Sequence, residues 1–305
     1  MKRFLLPILF LFPSLVFAQA LKLALNWKPE PQFGGFYAAA DLFKKQGLDV
    51  QILEGGSGTP TIQMLASKQV DLAVVSGDEI ILAHDRGATD VVAIYATYQT
   101  APTGIMTRGE RNLKSLEEVF QSEGTLLWQT GLPYAQYLQK KYGPFKVKTA
   151  PYPGGIGNFQ NDVKISQQCF VTSEPLLAQK AGVKEKTFLV SDSGFNPYVT
   201  VLAVRSSALK ENPEKFKKLV EALRQGWAQY LKDPKPTNQA MAKINRAMDM
   251  ETFQKSAEVQ KSLIQTKKAP LGSMTEERWK TLVDQLTEIK LIKNKIKASD
   301  LFQNL

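Results

Sequence analysis

The sequence predicts an α/β protein of two lobes, each a mostly parallel sheet flanked by helices, with a helical C-terminal segment. Three observations carry that expectation. Short apolar runs alternate with helical patterns as far as residue 204, the rhythm of β-α-β units with short connections. Beyond that point the chain turns helical. Removing a 20-residue leader from the 305 residues leaves about 285, enough for two lobes.

The leader is residues 1–20, "MKRFLLPILFLFPSLVFAQA". It has a basic start at Lys2 and Arg3, an apolar middle and small residues at its end, the pattern of a secretory signal cut after Ala18 or Ala20. Pro7 and Pro13 interrupt an apolar stretch already too short to span a bilayer. An exported, soluble mature chain is expected. Next come a strand "LKLALN" (21–26), a helix "GFYAAADLFKKQG", a strand "LDVQIL", a helix "TPTIQMLASKQ", a strand "VDLAVV", a helix "DEIILAHDRG" and a strand "VVAIYA". The alternation continues through "GTLLWQ", "LPYAQYLQKKYG", "FKVKTAPY", "QQCFVT", "SEPLLAQKAG", "TFLVSD" and "YVTVLAV". A long helix starts at Asn212, with Pro213 in its first turn and Glu214 near its positive end. Phe216, Leu219, Val220, Leu223, Trp227, Tyr230 and Leu231 make its apolar stripe, a core-packing surface. Further helices are expected around 250–265 and 275–289.

Composition excludes several functions. Hydrophobic content of 43% with 22% charged residues is that of a globular protein. The formal charge is +10, and loss of Lys2 and Arg3 leaves +8. The lysines fall among acids along helices and read as solvated faces, with no aromatic interleaving of the kind a nucleic-acid groove needs. Cys169 is the single cysteine and His84 the single histidine. That leaves no intrachain disulfide, no His/Cys zinc site and no His-based triad with a spare histidine. Cys169, inside "CFV", reads as a buried thiol. No cofactor or metal is implied, and an enzyme is the least supported class.

Two segments echo each other. "VDLAVVSGDEIILAHDRG" and "QQCFVTSEPLLAQKAG" each run from a buried strand to a hydroxyl, an acid at a helix start and a closing glycine. Ser76 and Asp78 in one correspond to Thr172 and Glu174 in the other. Ligands of open α/β sheets bind beyond the carboxyl ends of the strands, so both pairs are site candidates. The corner "LNWKPEPQFGGFYAAADLF" adds Asn26, Trp27, Glu30, Phe33 and Tyr37. Pro29 and Pro31 stiffen it, and Gly34-Gly35 let the following helix start close to whatever lies in front. A rigid corner of this kind suits stacking on a flat ligand. "EGGSGTPT" offers Ser57 and backbone N–H groups but lacks the Lys-Ser/Thr pair of a nucleotide loop. "YQTAPTG" contributes Tyr98 and Gln99, "WQTG" Trp128 and Thr130, and "GFNPYVT" Asn196 and Tyr198. "PYPGGIGNF" reads as a mobile loop near a cleft.

The segments "LNWKPEPQFGGFYAA", "GLDVQILEGGSG", "QMLASKQVDLAVVSGDEI" and "FVTSEP…AG" resemble the NMT1/THI5-like group of periplasmic solute-binding proteins. The resemblance runs from about Leu21 to Ser206. It implies a type II two-lobe binding protein that closes like a hinge, with 21–104 plus 200–305 in one lobe and 105–199 in the other. It also implies a monomeric periplasmic receptor of an ABC importer, with a small-molecule ligand and a membrane permease as partners. Asn26-Trp27 matches the family's Asp/Asn-Trp pair, and Glu174 its second-lobe glutamate. Phe33 stands where the pyrimidine branch often has a histidine, the residue consumed in the eukaryotic pyrimidine synthases, so a self-consuming synthase is excluded. The expected ligand is a thiamine-pyrimidine precursor or a related planar nitrogen heterocycle. A nitrate- or sulfonate-type anion receptor and a periplasmic sensor subunit are the alternatives.

Overall fold

A computed structural model of the protein describes residues 20–265 and 269–305. The leader therefore lies outside the described residues, apart from Ala20. Among the described residues, ten strands form two sheets of five. The first holds β1 (Leu21–Ala24), β2 (Val50–Leu53), β3 (Leu72–Val75), β4 (Val91–Tyr98) and β10 (Val199–Arg205), in the order β2-β1-β3-β10-β4. The second holds β5 (Thr103–Arg108), β6 (Thr125–Trp128), β7 (Lys148–Pro151), β8 (Ile165–Phe170) and β9 (Glu185–Leu189), in the order β7-β6-β8-β5-β9. In each, one strand runs against the rest: β10 is antiparallel to β3 and β4, and β5 to β8 and β9. Both odd strands follow a crossing between the lobes. The sequence reading placed β10 but passed over β5, because "TGIMTR" is polar at both ends.

β4 reads as a continuous apolar run, "VVAIYATY", and is buried along its whole length although it ends the sheet order. The C-terminal chain explains this by closing the open edge. Ala93 N–H donates to Leu301 O at 2.9 Å, Gln303 N–H to Ala93 O at 2.8 Å, and Ala96 N–H to Gly272 O at 3.0 Å. Covered edges expose no unpaired backbone to other chains.

The helix Pro213–Lys232 lays its apolar stripe on the first lobe, with Trp227, Leu219 and Leu223 fully buried. Gly34 and Gly35 allow the close approach the sequence suggests, and what lies in front of them is this helix. A Cβ on Gly35 would stand 2.1 Å from the Trp227 ring, and one on Gly34 would stand 2.2 Å from Tyr230. The C-terminal helices occupy Met250–Val259, Lys261–Ile264 and Glu276–Glu288, and a further one, Lys235–Ile244, went unread behind Pro234 and Pro236. Among the described residues no helix is long and apolar enough to cross a membrane.

Arg278, in the last helix, fastens both interlobe crossings. Its Nη1 donates to Gln99 O at 2.6 Å, its Nε to Asn196 O at 2.8 Å and its Nη2 to Pro197 O at 2.9 Å. Asn196 Oδ1 accepts from Ala101 N–H at 2.8 Å and from Arg278 Nη2 at 3.0 Å. The guanidinium lies 3.9 Å over the Tyr198 ring, a cation–π contact.

Candidate functional site

The carboxyl ends of β3 and β8 face each other across a cavity of about 300 Å³. From the first lobe, Ser76 and Asp78 at the start of the Gly77–Asp85 helix line it. From the second come Gln129, Tyr134, Gln168, Phe170 and Glu174. Phe195 and Val199, on the returning crossing, form its back wall. The volume sits at the small end of the range for ligand pockets.

Polar groups hold this lining in place. Glu174 opens the Glu174–Lys180 helix, where its Oε2 accepts from Phe170 N–H at 2.8 Å and its Oε1 from the Tyr152 hydroxyl at 3.0 Å. Gln168 Oε1 accepts from the Tyr134 hydroxyl at 2.9 Å and from Gln129 N–H at 2.7 Å. On the first lobe, Glu79 Oε2 accepts from Ser76 N–H at 2.8 Å and from its hydroxyl at 3.1 Å, part of a capping box. Burial raises the Asp78 carboxyl above its ordinary range, and Glu79 is raised by burial and by the charge of Asp78.

The opening corner supplies none of the cavity lining and is tied to it through the charge of Glu174 on Glu30. Trp27 is 38% exposed and donates Nε1–H to Glu30 Oε1 at 3.1 Å. Burial pushes the Glu30 carboxyl up to about 7; the Trp27 bond offsets part of that rise and the charge of Glu174 adds to it. Glu30 therefore feels the charge of Glu174 from the other lobe.

Of the expected site residues, the cavity gathers Ser76, Asp78 and Glu174, while Trp27 and Glu30 stand outside its lining. Asn26 and Tyr37 are half-buried on the same corner without lining the cavity. Several aromatic residues need correction. Phe33 is fully buried in the first lobe, and Trp128 packs against Phe120, Tyr134 and Phe145. Tyr98 is buried with its hydroxyl on Gln260 Oε1 at 2.7 Å, and Tyr198 sits between Arg278 and Trp279. Trp128, Tyr98 and Tyr198 stand at strand ends, where strand alternation aims their rings inward, while Phe33 closes the short 3-10 turn Pro31–Phe33 and packs into the first lobe. Gln99 and Asn196 fasten the crossings, with Gln99 Nε2 on Ser273 O at 3.0 Å. Thr172 is buried outside the lining, and Thr130 and Ser57 are exposed and also outside it. The "PYPGGIGNF" segment is no plain loop: Phe159 is fully buried and Tyr152 holds Glu174. Gln168, Tyr134 and Tyr152 were missed, and the one sequence signal was their closeness to "FVTSEP" and "WQTG".

Chemically the lining offers carboxylates, amides and aromatic walls. His84 is buried elsewhere with Nε2 at 2.7 Å from Val91 O. Cys169 lies at the cavity wall, its thiol held well above the ordinary range by burial. No group of three or more His, Cys, Asp or Glu that could hold a metal ion occurs among the described residues.

The sequence profile described as NMT1/THI5 like matches residues 30–237. A curated relative, the riboflavin-binding protein RibY of Chloroflexus aurantiacus, is 23% identical over 226 residues, which is 71% of this chain. The match spans 64% of that relative's length. Among solved structures, the periplasmic aliphatic sulphonate binding protein SsuA from Escherichia coli superposes with a TM-score of 0.70 at 12% identity, covering 94% of this chain and 93% of that one. The zinc-bound ligand-binding component of an ABC-type import system from Staphylococcus aureus gives a TM-score of 0.68 at 13% identity, with coverage of 94% and 97%. The two-lobe architecture is that of periplasmic binding proteins.

Proposed function

The chain belongs to the NMT1/THI5-like family, and on that premise we propose that it is the substrate-binding receptor of an ABC-type importer. It captures a small planar nitrogen heterocycle, a thiamine-pyrimidine precursor or a related ring, between its lobes. The observation that carries this reading is the cavity between two strand-end acids, Asp78 and Glu174, one from each lobe. A guest touching both favours the closed form by its differential affinity for that form, and a permease can read the difference. The riboflavin named for the curated relative is likewise flat and nitrogen-bearing. The receptor works as a monomer in the periplasm after loss of its leader. The mature protein then begins at Gln19 or Leu21, which N-terminal sequencing reads directly.

A thermal-shift screen of the mature protein over pyrimidines, flavins, purines and sulfonates tests the ligand. A true guest at a hundred times its dissociation constant adds about 2.7 kcal/mol to stability. Stabilisation by a pyrimidine or other flat nitrogen ring is the expected result. Stabilisation by sulfonates alone would overturn the reading.

A further inference from the structure

We infer that the guest binds as a cation, a flat ring carrying an amidinium-type or protonated ring nitrogen, with Asp78 as counter-ion on the first lobe and Glu174 on the second. This rests on the receptor reading above and adds the charge of the ligand to it. Among the described residues, the cavity lining includes two carboxylates and no lysine, arginine or histidine. Asp78 lacks a basic partner: the groups that favour its charge are the Ser76 hydroxyl and the backbone N–H groups of Asp78 and Glu79. Ser76 already donates its hydroxyl to Glu79. A desolvated carboxylate left this way is unfavourable until a cation or a proton joins it.

The same geometry disfavours an anion. A negative guest would look for free N–H donors where the strand ends meet the two helix starts. At the first, Ser76 N–H is held by Glu79, and at the second, Phe170 N–H is held by Glu174. The protein's own carboxylates occupy these donors, and Glu30 stands close enough to feel Glu174. Sulfonate recognition by a neighbour of the same fold therefore gives no guide here. The aromatic walls at Phe170, Phe195 and Tyr134 suit a flat ring, and the N–H edge of a protonated aminopyrimidine would meet the carboxylates directly.

Benzamidinium, benzamide and benzenesulfonate are three flat probes of similar size that differ in charge, and calorimetry with ligand-observed NMR ranks them. Benzamidinium should bind the wild-type chain about tenfold or more tighter than benzamide, and benzenesulfonate should not bind measurably. Asp78→Asn should shrink the benzamidinium preference by about tenfold while its thermal midpoint holds or rises. Glu174→Gln repeats the comparison from the other lobe should Asp78→Asn fail to fold. Equal binding of benzamide and benzamidinium overturns the charge assignment and leaves the flat-guest reading standing, whereas preference for benzenesulfonate overturns both. Failure of all three probes to bind overturns both.

Discussion

Replacing Glu30 by glutamine should alter the pH dependence of stability in a window set by the site itself. The Glu30 carboxyl rises from 4.5 to about 7 in the folded protein, so the native state holds that proton more tightly than the unfolded chain does. The stabilisation from this proton is complete below pH ~4.5, fades as the pH climbs and is gone above about 7. At about 1.4 kcal/mol per pKa unit the full effect is about 3 kcal/mol; screening at this partly exposed corner brings it to ~2 kcal/mol. Glutamine keeps an oxygen for the Trp27 indole and cannot ionise. Denaturant unfolding followed by circular dichroism, in steps from pH 4.5 to 8, gives the wild-type and Glu30→Gln curves. Their difference should move by ~2 kcal/mol in favour of the variant between pH 4.5 and 8, with Asp78 and Glu79 common to both proteins. A flat difference, or one moving the other way, would refute the argument that Glu30 is held in a desolvated, acid-flanked corner.

Other consequences are equally accessible. Against a guest found by the screen, Glu174→Ala and Trp27→Ala should each weaken binding by one to two decades in isothermal titration, the range of a charge-assisted bond or a lost aromatic platform. Gly35→Ala pushes a methyl group into the Trp227 ring and should lower stability by about 2–3 kcal/mol, seen as a lower denaturation midpoint with unchanged m-value. Arg278→Met leaves the carbonyls of Gln99, Asn196 and Pro197 unserved. It should cost about 3 kcal/mol or more and speed hydrogen exchange along both crossings.

The alternating architecture was legible because buried strands such as "VDLAVV" and "VVAIYA" and the stripe of the Pro213–Lys232 helix are set by local pattern alone. The paired acids were legible too, since Asp78 and Glu174 occupy equivalent places in two repeated units and the fold brings those places to one cavity. Direction was not. Nothing local in "TGIMTR" says that it runs against its neighbours, because that orientation follows from a crossing made elsewhere in the chain. The aromatics misled for a related reason. Trp128 and Tyr98 were read from their position at strand ends, while their exposure depends on which face of the sheet the register presents. Gly34-Gly35 carry the same lesson, since their tight neighbours, Tyr230 and Trp227, lie nearly two hundred residues away.

The placing of β10 between β3 and β4 also fixes an order of completion during synthesis. All five strands of the second lobe lie within one uninterrupted stretch, β5 to β9, and can pair as soon as Leu189 is available. The first lobe begins earlier, but β3 and β4 have no hydrogen-bonded link until residues 199–205 are made, and the outer edge of β4 waits for Leu301 and Gln303 near the chain terminus. The lobe whose synthesis starts first is therefore the one that finishes folding last.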